Sequence, residues 1–461
     1  MEILTLSEIL KAVNGEIILK GNIDKFDSIC TDTRKIKSGD LFIALKGDNF
    51  NGNDFIEKAV ESGAALCIAD EIKFNLNNIT DAWIIKVKDT KQALLDLAKY
   101  YRSRLNTKII GITGSTGKTS TKDLTAAALG SRYKVFKTKG NFNNEIGLPL
   151  MIFSLDNSYD IAVLEMGMNN LEEIHRMAEA ARPDAAIITN VGITHIENLK
   201  TQENILKAKL EITNFFNKES LLIINADSPM LRDMDYKKSR LITTGIEGEN
   251  NYKAYDIVLL DTSVRFKLEL NGEKFPEEFQ IEVPGKHTIN NALLAIACSM
   301  EYGVSLDEIN KGFRELEKTS MRLDIIKGKY TIINDCYNAN PDSMKSGLEV
   351  LNNFKCNRRI AILGSMGELG DKSKESHKMI GEFAKKSNVD FLITLGIYNE
   401  EFKQGFGENC LCFEDYDEAV NAAKAILKEG DVVIVKASRS MKFEKIVDKL
   451  KEHNVGVTYN G

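Results

Sequence analysis

No stretch of this 461-residue chain approaches the ~18 consecutive apolar residues that a membrane-spanning helix needs. Its start, Met1-Glu-Ile-Leu-Thr5, has neither the basic region nor the long apolar core of a secretory signal. The two absences predict a cytoplasmic protein that does not insert into a membrane. Disulfide and zinc frameworks are missing as well. The seven cysteines, Cys30, Cys67, Cys298, Cys336, Cys356, Cys410 and Cys412, are scattered and odd in number. The one close pair, Cys410-Leu-Cys412, has no second pair to complete a zinc site, so reduced core thiols are expected. Neither charge sign dominates: 61 Lys and Arg against 67 Asp and Glu leave a formal net charge of −6. The two signs are interspersed and form no stripe for a phosphodiester backbone, which argues against a nucleic-acid partner and for a small-molecule ligand. There is no low-complexity tract, long linker or short-period repeat.

What the chain does contain is a glycine-rich loop, Gly111-Ile-Thr-Gly-Ser-Thr-Gly-Lys-Thr-Ser120, directly after the apolar run Lys108-Ile-Ile-Gly-Ile-Thr113. Gly114 and Gly117 let backbone N–H groups turn inward on phosphate oxygens while the following helix offers its positive end. Gly114, Ser115, Thr116, Gly117, Lys118, Thr119 and Ser120 are therefore the candidate cradle of a nucleotide triphosphate, with Lys118 on the β/γ-phosphates and the Thr119 hydroxyl on Mg²⁺. A strict P-loop has glycine five residues before Gly117, where this chain has Ile112.

The length exceeds what one core usually organises, so two to three domains are expected. Short apolar runs, Asp40–Leu45 and Ala64–Ala69, precede a helical stretch from about Lys91 to Arg104. From the P-loop onward, buried-strand runs at 133–136, 161–165, 185–191 and 221–225 alternate with helical stretches, which predicts a parallel sheet with helices on both faces. Between about Leu241 and Val283 the period changes to two, as in Ser263-Val-Arg-Phe-Lys-Leu-Glu-Leu270 before the turn Asn271-Gly272, which predicts an antiparallel insertion or edge hairpin. Strand–helix alternation restarts after Lys318. The fold class is α/β, with a small N-terminal domain over 1–105, a central P-loop domain over 106–318 and a Rossmann-like domain over 319–461.

Several residues outside the loop carry chemistry. Glu165 ends a predicted strand at the edge where open α/β sheets bind ligands, and is a candidate for holding Mg²⁺. His195 follows another strand end, and a neutral ring nitrogen there could ligate a second metal, although a lone histidine is more often structural. Lys209 lies on a helix predicted from about Glu203 to Phe216, and composition gives it no privilege over Lys207. Gly285-Lys-His-Thr-Ile-Asn-Asn-Ala292 leads into a helix predicted over Ala292–Met300, where Asn290 and Asn291 could cap it or bond a base. Asp335-Cys-Tyr-Asn-Ala-Asn-Pro341 follows a further strand, and its polar residues could equally be turn chemistry.

In this order, these strings resemble the ATP-dependent Mur ligases of peptidoglycan synthesis, whose loop reads Thr-Gly-x-x-Gly-Lys-Thr; the displaced glycine is then a family mark. Thr31-Asp-Thr-Arg34, Gly39–Gly47 and Asp54-Phe-Ile56 are similar to the family's uridine-nucleotide domain, and Gly140–Pro149 to its second nucleotide loop. Tyr337–Met344, Gly364–Gly370 and Lys436–Ser440 resemble the branch that joins D-alanyl-D-alanine to a UDP-N-acetylmuramoyl-tripeptide. The resemblance implies phosphorylation of the tripeptide carboxylate by ATP, attack by the dipeptide amine, and release of ADP and phosphate. It implies Lys118 at the transferring phosphoryl group, Thr119 and Glu165 on one Mg²⁺, and His195 on a second. Lys209 matches a lysine that some members carry as a carbamate ligand to that second metal. Asn291, Arg322 and Asp335 match positions at the adenine, phosphates and ribose; Thr33, Arg34, Lys46 and Gly47 match the uridine site, and Asn338 the dipeptide side. A monomer is expected. Two departures stand out: Glu172 and Lys200 each occupy a place where the family has glycine. Two other readings remain at this stage, a sister ligase that adds a single amino acid and an ATP-hydrolysing switch or motor.

Overall fold

The computed structural model describes residues 1–454. Three large sheets follow one another along the described residues, beside two two-stranded pairs in the first unit. The first has five strands in the order Glu16–Leu19, Trp83–Lys86, Leu66–Ala69, Leu41–Ile43, Ile29–Cys30, parallel except for the first pair. The second has nine, in the order Val135–Lys137, Ile161–Glu165, Lys108–Thr113, Ala185–Ile188, Leu221–Asn225, Arg240–Gly245, Tyr252–Leu259, Val264–Leu270, Glu273–Ile281. Its first seven strands are parallel and its last two are antiparallel additions, so the predicted insertion extends the same sheet as an edge hairpin. Asn271 and Gly272, at φ +49° and +86°, make the turn, matching the two positive φ values that a tight hairpin twist requires. The third sheet has six strands, in the order Asp324–Ile326, Thr331–Asn334, Val432–Lys436, Arg359–Gly364, Phe391–Leu395, Cys410–Phe413, parallel apart from the first.

The P-loop strand Lys108–Thr113 lies inside the second sheet because it is apolar on both faces: Ile109, Ile110 and Ile112 are fully buried. The chain leaves it toward one side of the sheet and later returns on the other, so the loop opens at a topological switch point, where the carboxyl ends of neighbouring strands leave a crevice.

The helix Thr90–Ser103 joins the first two units. Asp89 caps it by accepting from the N–H groups of Lys91 and Gln92. Its apolar stripe of Ala93, Leu94, Leu97, Ala98 and Tyr101, spaced for one helical face, is buried in a core that runs continuously from Leu4 to Leu231. The Tyr101 hydroxyl donates to the carbonyl of Leu155 at 2.6 Å, tying the helix to the central unit. The third sheet instead carries its own two cores, one on each face. Between the second and third units the chain passes through Met321 and Leu323, non-glycine residues at φ +62° and +54°. Each such left-handed residue costs about 1 kcal/mol or more.

Two helices differ from their predicted extents. One begins at Lys286 rather than Ala292, because Gly285 at φ +101° turns the chain straight into it. The other stops at Leu210 and tightens into the 3₁₀ turn Glu211–Thr213. The seven cysteines are free thiols, with Cys410 and Cys412 sulfurs 4.0 Å apart.

Candidate active site

Ile112 pairs with Glu165 and Thr113 with Ile188, so the glycine-rich loop leaves the sheet beside a carboxylate. Two glycines are dictated by space. Gly114 is at φ +154°, and a Cβ there would lie 1.8 Å from the Thr189 hydroxyl; Gly117 is at φ +77°, and a Cβ would lie 2.7 Å from the Asn291 carbonyl oxygen. Asn190 shapes the loop by accepting from the N–H groups of Ser115 and Thr116 at 3.0 and 2.9 Å. The N–H groups of Lys118, Thr119 and Ser120 open the helix Lys118–Gly130, which has no side-chain cap. Without intrahelical acceptors they form a ready anion site at the helix's positive end. Lys118 folds back over the loop, donating to the carbonyl of Gly114 at 2.8 Å. Burial lowers its ammonium below the ordinary lysine range, against the opposing pull of Glu165.

Glu165 is 3% exposed. Its two oxygens accept from the Thr119 hydroxyl and the Asn143 carboxamide, both at 2.9 Å. A buried carboxylate whose hydrogen-bond partners are both neutral fits a divalent cation as its counter-charge. Among the described residues no three histidine, cysteine or acidic side chains converge. The donor set therefore suits Mg²⁺, which takes one or two protein oxygens and completes its shell from phosphates and water. Asn143 reaches Glu165 from the loop after Val135–Lys137. That loop is pinned by Glu145, which pairs with both Lys91 of the helix Thr90–Ser103 and Arg176 of the helix Glu173–Ala181.

The third sheet supplies the opposite wall. Asn334 is in register with Val435, so the residues that follow, Asp335 and Lys436, meet at the strand ends. Lys436 pairs with Asp335 at 2.5 Å and donates to the carbonyl of Asn338 at 3.0 Å. Arg322 lies over the Tyr337 ring at 4.1 Å and donates to the Thr119 hydroxyl at 2.9 Å. One cleft of about 300 Å³ is lined by Ser115 to Ser120, Asn143, Glu165 and Asn291 from the central unit, and by Arg322, Asp335 and Asn338 from the third. The predicted loop, Glu165, Asn291, Arg322, Asp335 and Asn338 are thus brought together.

His195 and Lys209 stand outside that lining. His195, at φ +65°, places Nδ1 2.6 Å from the Glu368 carboxylate of the third unit. Lys209 is 1% exposed, and its ammonium has no hydrogen-bond acceptor or acidic partner among the described residues. Burial, reinforced by the like charge of Lys118, lowers its pKa far below the ordinary lysine value. Thr33, Arg34, Lys46 and Gly47 lie apart, in the first unit. Thr33 opens the turn Thr33–Lys35, Arg34 forks onto Asp32 at 2.8 Å, and Lys46 pairs with Asp70 at 3.1 Å and Glu71 at 2.8 Å. Gly47 ends the short strand Lys46–Gly47. Glu172 and Lys200, the two departures from glycine, sit at φ +69° and +68°. The backbone therefore keeps the left-handed shape that glycine would favour. Glu211 helps hold it at Glu172 by accepting from the Glu172 N–H at 2.8 Å.

Asn143, Asn190, His287, Glu368 and Lys436 were not singled out by the sequence. Asn143, Glu368 and Lys436 lie inside strings that carried the family resemblance, which was the available signal. Asn190 and His287 become visible only once the loop and the helix Lys286–Glu301 are seen to face each other.

Comparison with known proteins matches residues 25–102 to the Mur ligase family catalytic domain, 112–299 to the Mur ligase middle domain, and 321–439 to the Mur ligase glutamate ligase domain. The UDP-N-acetylmuramoyl-tripeptide–D-alanyl-D-alanine ligase of Bacillus subtilis is 38% identical, over 92% of this chain and 93% of its own. Among solved structures, MurF from Acinetobacter baumannii superposes with a TM-score of 0.88 at 27% identity, covering 98% of this chain and 99% of its own. The MurF ligase of Thermotoga maritima in complex with ADP gives 0.84 at 27% identity, covering 92% and 97%.

Proposed function

This chain belongs to the Mur ligase family, and from that premise we propose that it joins D-alanyl-D-alanine to UDP-N-acetylmuramoyl-tripeptide with the hydrolysis of ATP to ADP and phosphate, in peptidoglycan precursor synthesis. The relatives with that activity match nearly the whole length of the chain, and a relative of the same type binds ADP. The structural observation that carries the reading is the apposition of Lys118, Thr119 and Glu165 with Arg322, Asp335 and Lys436 across one cleft. In this reading residues 1–105 bind the uridine nucleotide through Thr33, Arg34, Lys46 and Gly47. Residues 106–318 bind ATP, and residues 319–461 complete that site and receive the dipeptide near Asn338.

The chemistry runs in two steps. A tripeptide carboxylate oxygen takes the γ-phosphoryl group: its O–P bond forms as the bond to ADP breaks. The dipeptide ammonium first loses one proton to solvent; the free amine then attacks the acyl carbon, the C–N bond forms, the C–O bond to phosphate breaks, and a second proton leaves to solvent, so that the amide keeps one N–H. Lys118 and the N–H groups of the first helical turn hold the phosphoryl oxygens where negative charge gathers, while Arg322 closes on them from the third unit. Asp335, held by Lys436, faces the ribose, and Asn291 the adenine. Thr119 and Glu165 would hold a Mg²⁺, which supplies charge neutralisation at the phosphates. Lys209 as an ammonium would repel a second metal; as a carbamate it would offer that metal an anionic oxygen, and His195 a ring nitrogen.

Phosphate release measured with D-alanyl-D-alanine against single amino acids tests the assignment. Release that depends on the dipeptide is expected. Preference for a single amino acid would make this a sister ligase, and full-rate turnover without an acceptor would make it a switch.

A further inference from the structure

Two contacts tie the segment after Lys318 to the P-loop helix Lys118–Gly130. The Thr319 hydroxyl donates to the Asp123 carboxylate at 2.6 Å, and the Arg322 guanidinium donates to the Thr119 hydroxyl at 2.9 Å. Thr119 and Asp123 are four positions apart and so share one face of the helix. Their surroundings differ. Asp123 is buried, pairs with Lys137 at 3.1 Å and stands outside the cleft lining, whereas Thr119 and Arg322 both line the cleft.

Arg322 is held against resistance. The residues on either side of it, Met321 and Leu323, are both left-handed, a conformation that persists only where the surrounding structure imposes it. Among the described residues its one hydrogen bond is the bond to Thr119, and its Nε is buried without an acceptor. The Thr119 hydroxyl is fully engaged as well, donating to Glu165 at 2.9 Å while it accepts from Arg322. The oxygen that the loop offers to a divalent cation therefore carries a guanidinium instead. Two cations on one small oxygen repel strongly in a cleft with little water, so Arg322 and a metal ion compete for Thr119. Phosphate oxygens are the acceptors that match a guanidinium fork, and they would also satisfy the orphaned Nε.

We propose that Arg322 keeps the place of the divalent cation on Thr119 until nucleotide arrives, so that the cation enters with the nucleotide and not before it. Phosphate oxygens draw the guanidinium off the hydroxyl, and the strain at Met321 and Leu323 favours its release. Thr119 and Glu165 are then free to face the cation, while the Asp123–Thr319 contact keeps the segment on the helix. The inference rests on the reading of this cleft as an ATP site.

Calorimetric titration of Mg²⁺ alone into wild type and Arg322→Gln, both as the full chain, tests it. Adding Glu165→Gln to the variant locates the site. Removing one positive charge from the shared oxygen predicts Mg²⁺ binding about tenfold or more tighter in Arg322→Gln without nucleotide. That gain should vanish when Glu165→Gln is added. Equal affinity in wild type and Arg322→Gln overturns the proposal, and so does a gain that survives Glu165→Gln. A second measurement needs no variant: a crystal structure of wild type with Mg²⁺ and a non-hydrolysable ATP analogue. Arg322 is expected off the Thr119 hydroxyl and on a phosphate oxygen; Arg322 still bonded to Thr119 beside bound Mg²⁺ overturns the proposal. Wild-type protein that binds no adenine nucleotide would instead overturn the ATP-site reading, and the Mg²⁺ titration would still decide whether Arg322 keeps the cation off Thr119.

Discussion

Lys209 is a nearly fully buried lysine whose like-charged neighbour, Lys118, makes its ammonium still less stable. A neutral or carbamylated nitrogen fits that pocket better than a cation does. Lys209→Ala should lose about a hundredfold or more in turnover and regain part of it when short carboxylic acids are added; loss without rescue would count against the carbamate. His287 gives a second test. Burial lowers its pKa to about 4, with partial opposition from Asp335. Between that value and its ordinary 6.5 the unfolded chain binds more protons than the folded one. Its contribution to stability is therefore present above pH 6.5 and lost as pH falls toward 4. Urea denaturation of wild type and His287→Gln across that window should show a shallower pH slope for the variant. At this scale the sequence was legible where residue type and spacing act together, as in Lys118, Thr119 and Glu165. It was not legible for Glu368 or Asn190, whose roles depend on partners 173 and 75 positions away.

The loop from Thr138 to Gly147 acts as an element in its own right. Thr138 accepts from the N–H of Glu165, Asn143 donates to the Glu165 carboxylate, and Glu145 anchors the loop to Lys91 and Arg176. The side chain of Glu145 is only 8% exposed, and its two cationic partners hold it below the ordinary carboxylate range although burial pushes the other way. Glu145→Gln should cost about 1–3 kcal/mol, read as a lower urea midpoint at unchanged slope. It should also reduce turnover, because Asn143 loses its support. Elements were readable from sequence where apolar runs were continuous, as at Ile161–Glu165 and Leu221–Asn225, both recovered residue for residue. The start of the helix Lys286–Glu301 was missed because its first turn is polar and faces the cleft. Site chemistry there hides the apolar periodicity that marks a helix.

Across the whole molecule, the first two units share one hydrophobic core and the third has its own two. Ligand-driven movement is therefore expected of the third unit against a rigid pair. Scattering profiles should become more compact when an ATP analogue and the tripeptide nucleotide are both present, because acyl phosphates hydrolyse and the reacting cleft must exclude water. Identical profiles would sink the idea. Denaturation followed by hydrogen exchange should show the third unit opening as a separate block, with the helix Thr90–Ser103 protected together with the central sheet. The alternation of strands and helices made the α/β class readable from the sequence. The sharing of one core between the first two units was not, since it depends on which face of Thr90–Ser103 meets which sheet.

That shared core also decides where the chain can be severed. A break near residue 105 would split one buried surface between two fragments, and each would expose the Leu94, Leu97 and Tyr101 face or its complement to aggregation. A break at Met321, just before the strained Leu323, leaves Leu323 with the third unit's core and parts only the partly buried Ile193 and Val283 from its edge. Split-protein complementation or circular permutation should therefore succeed at this joint and fail at the other.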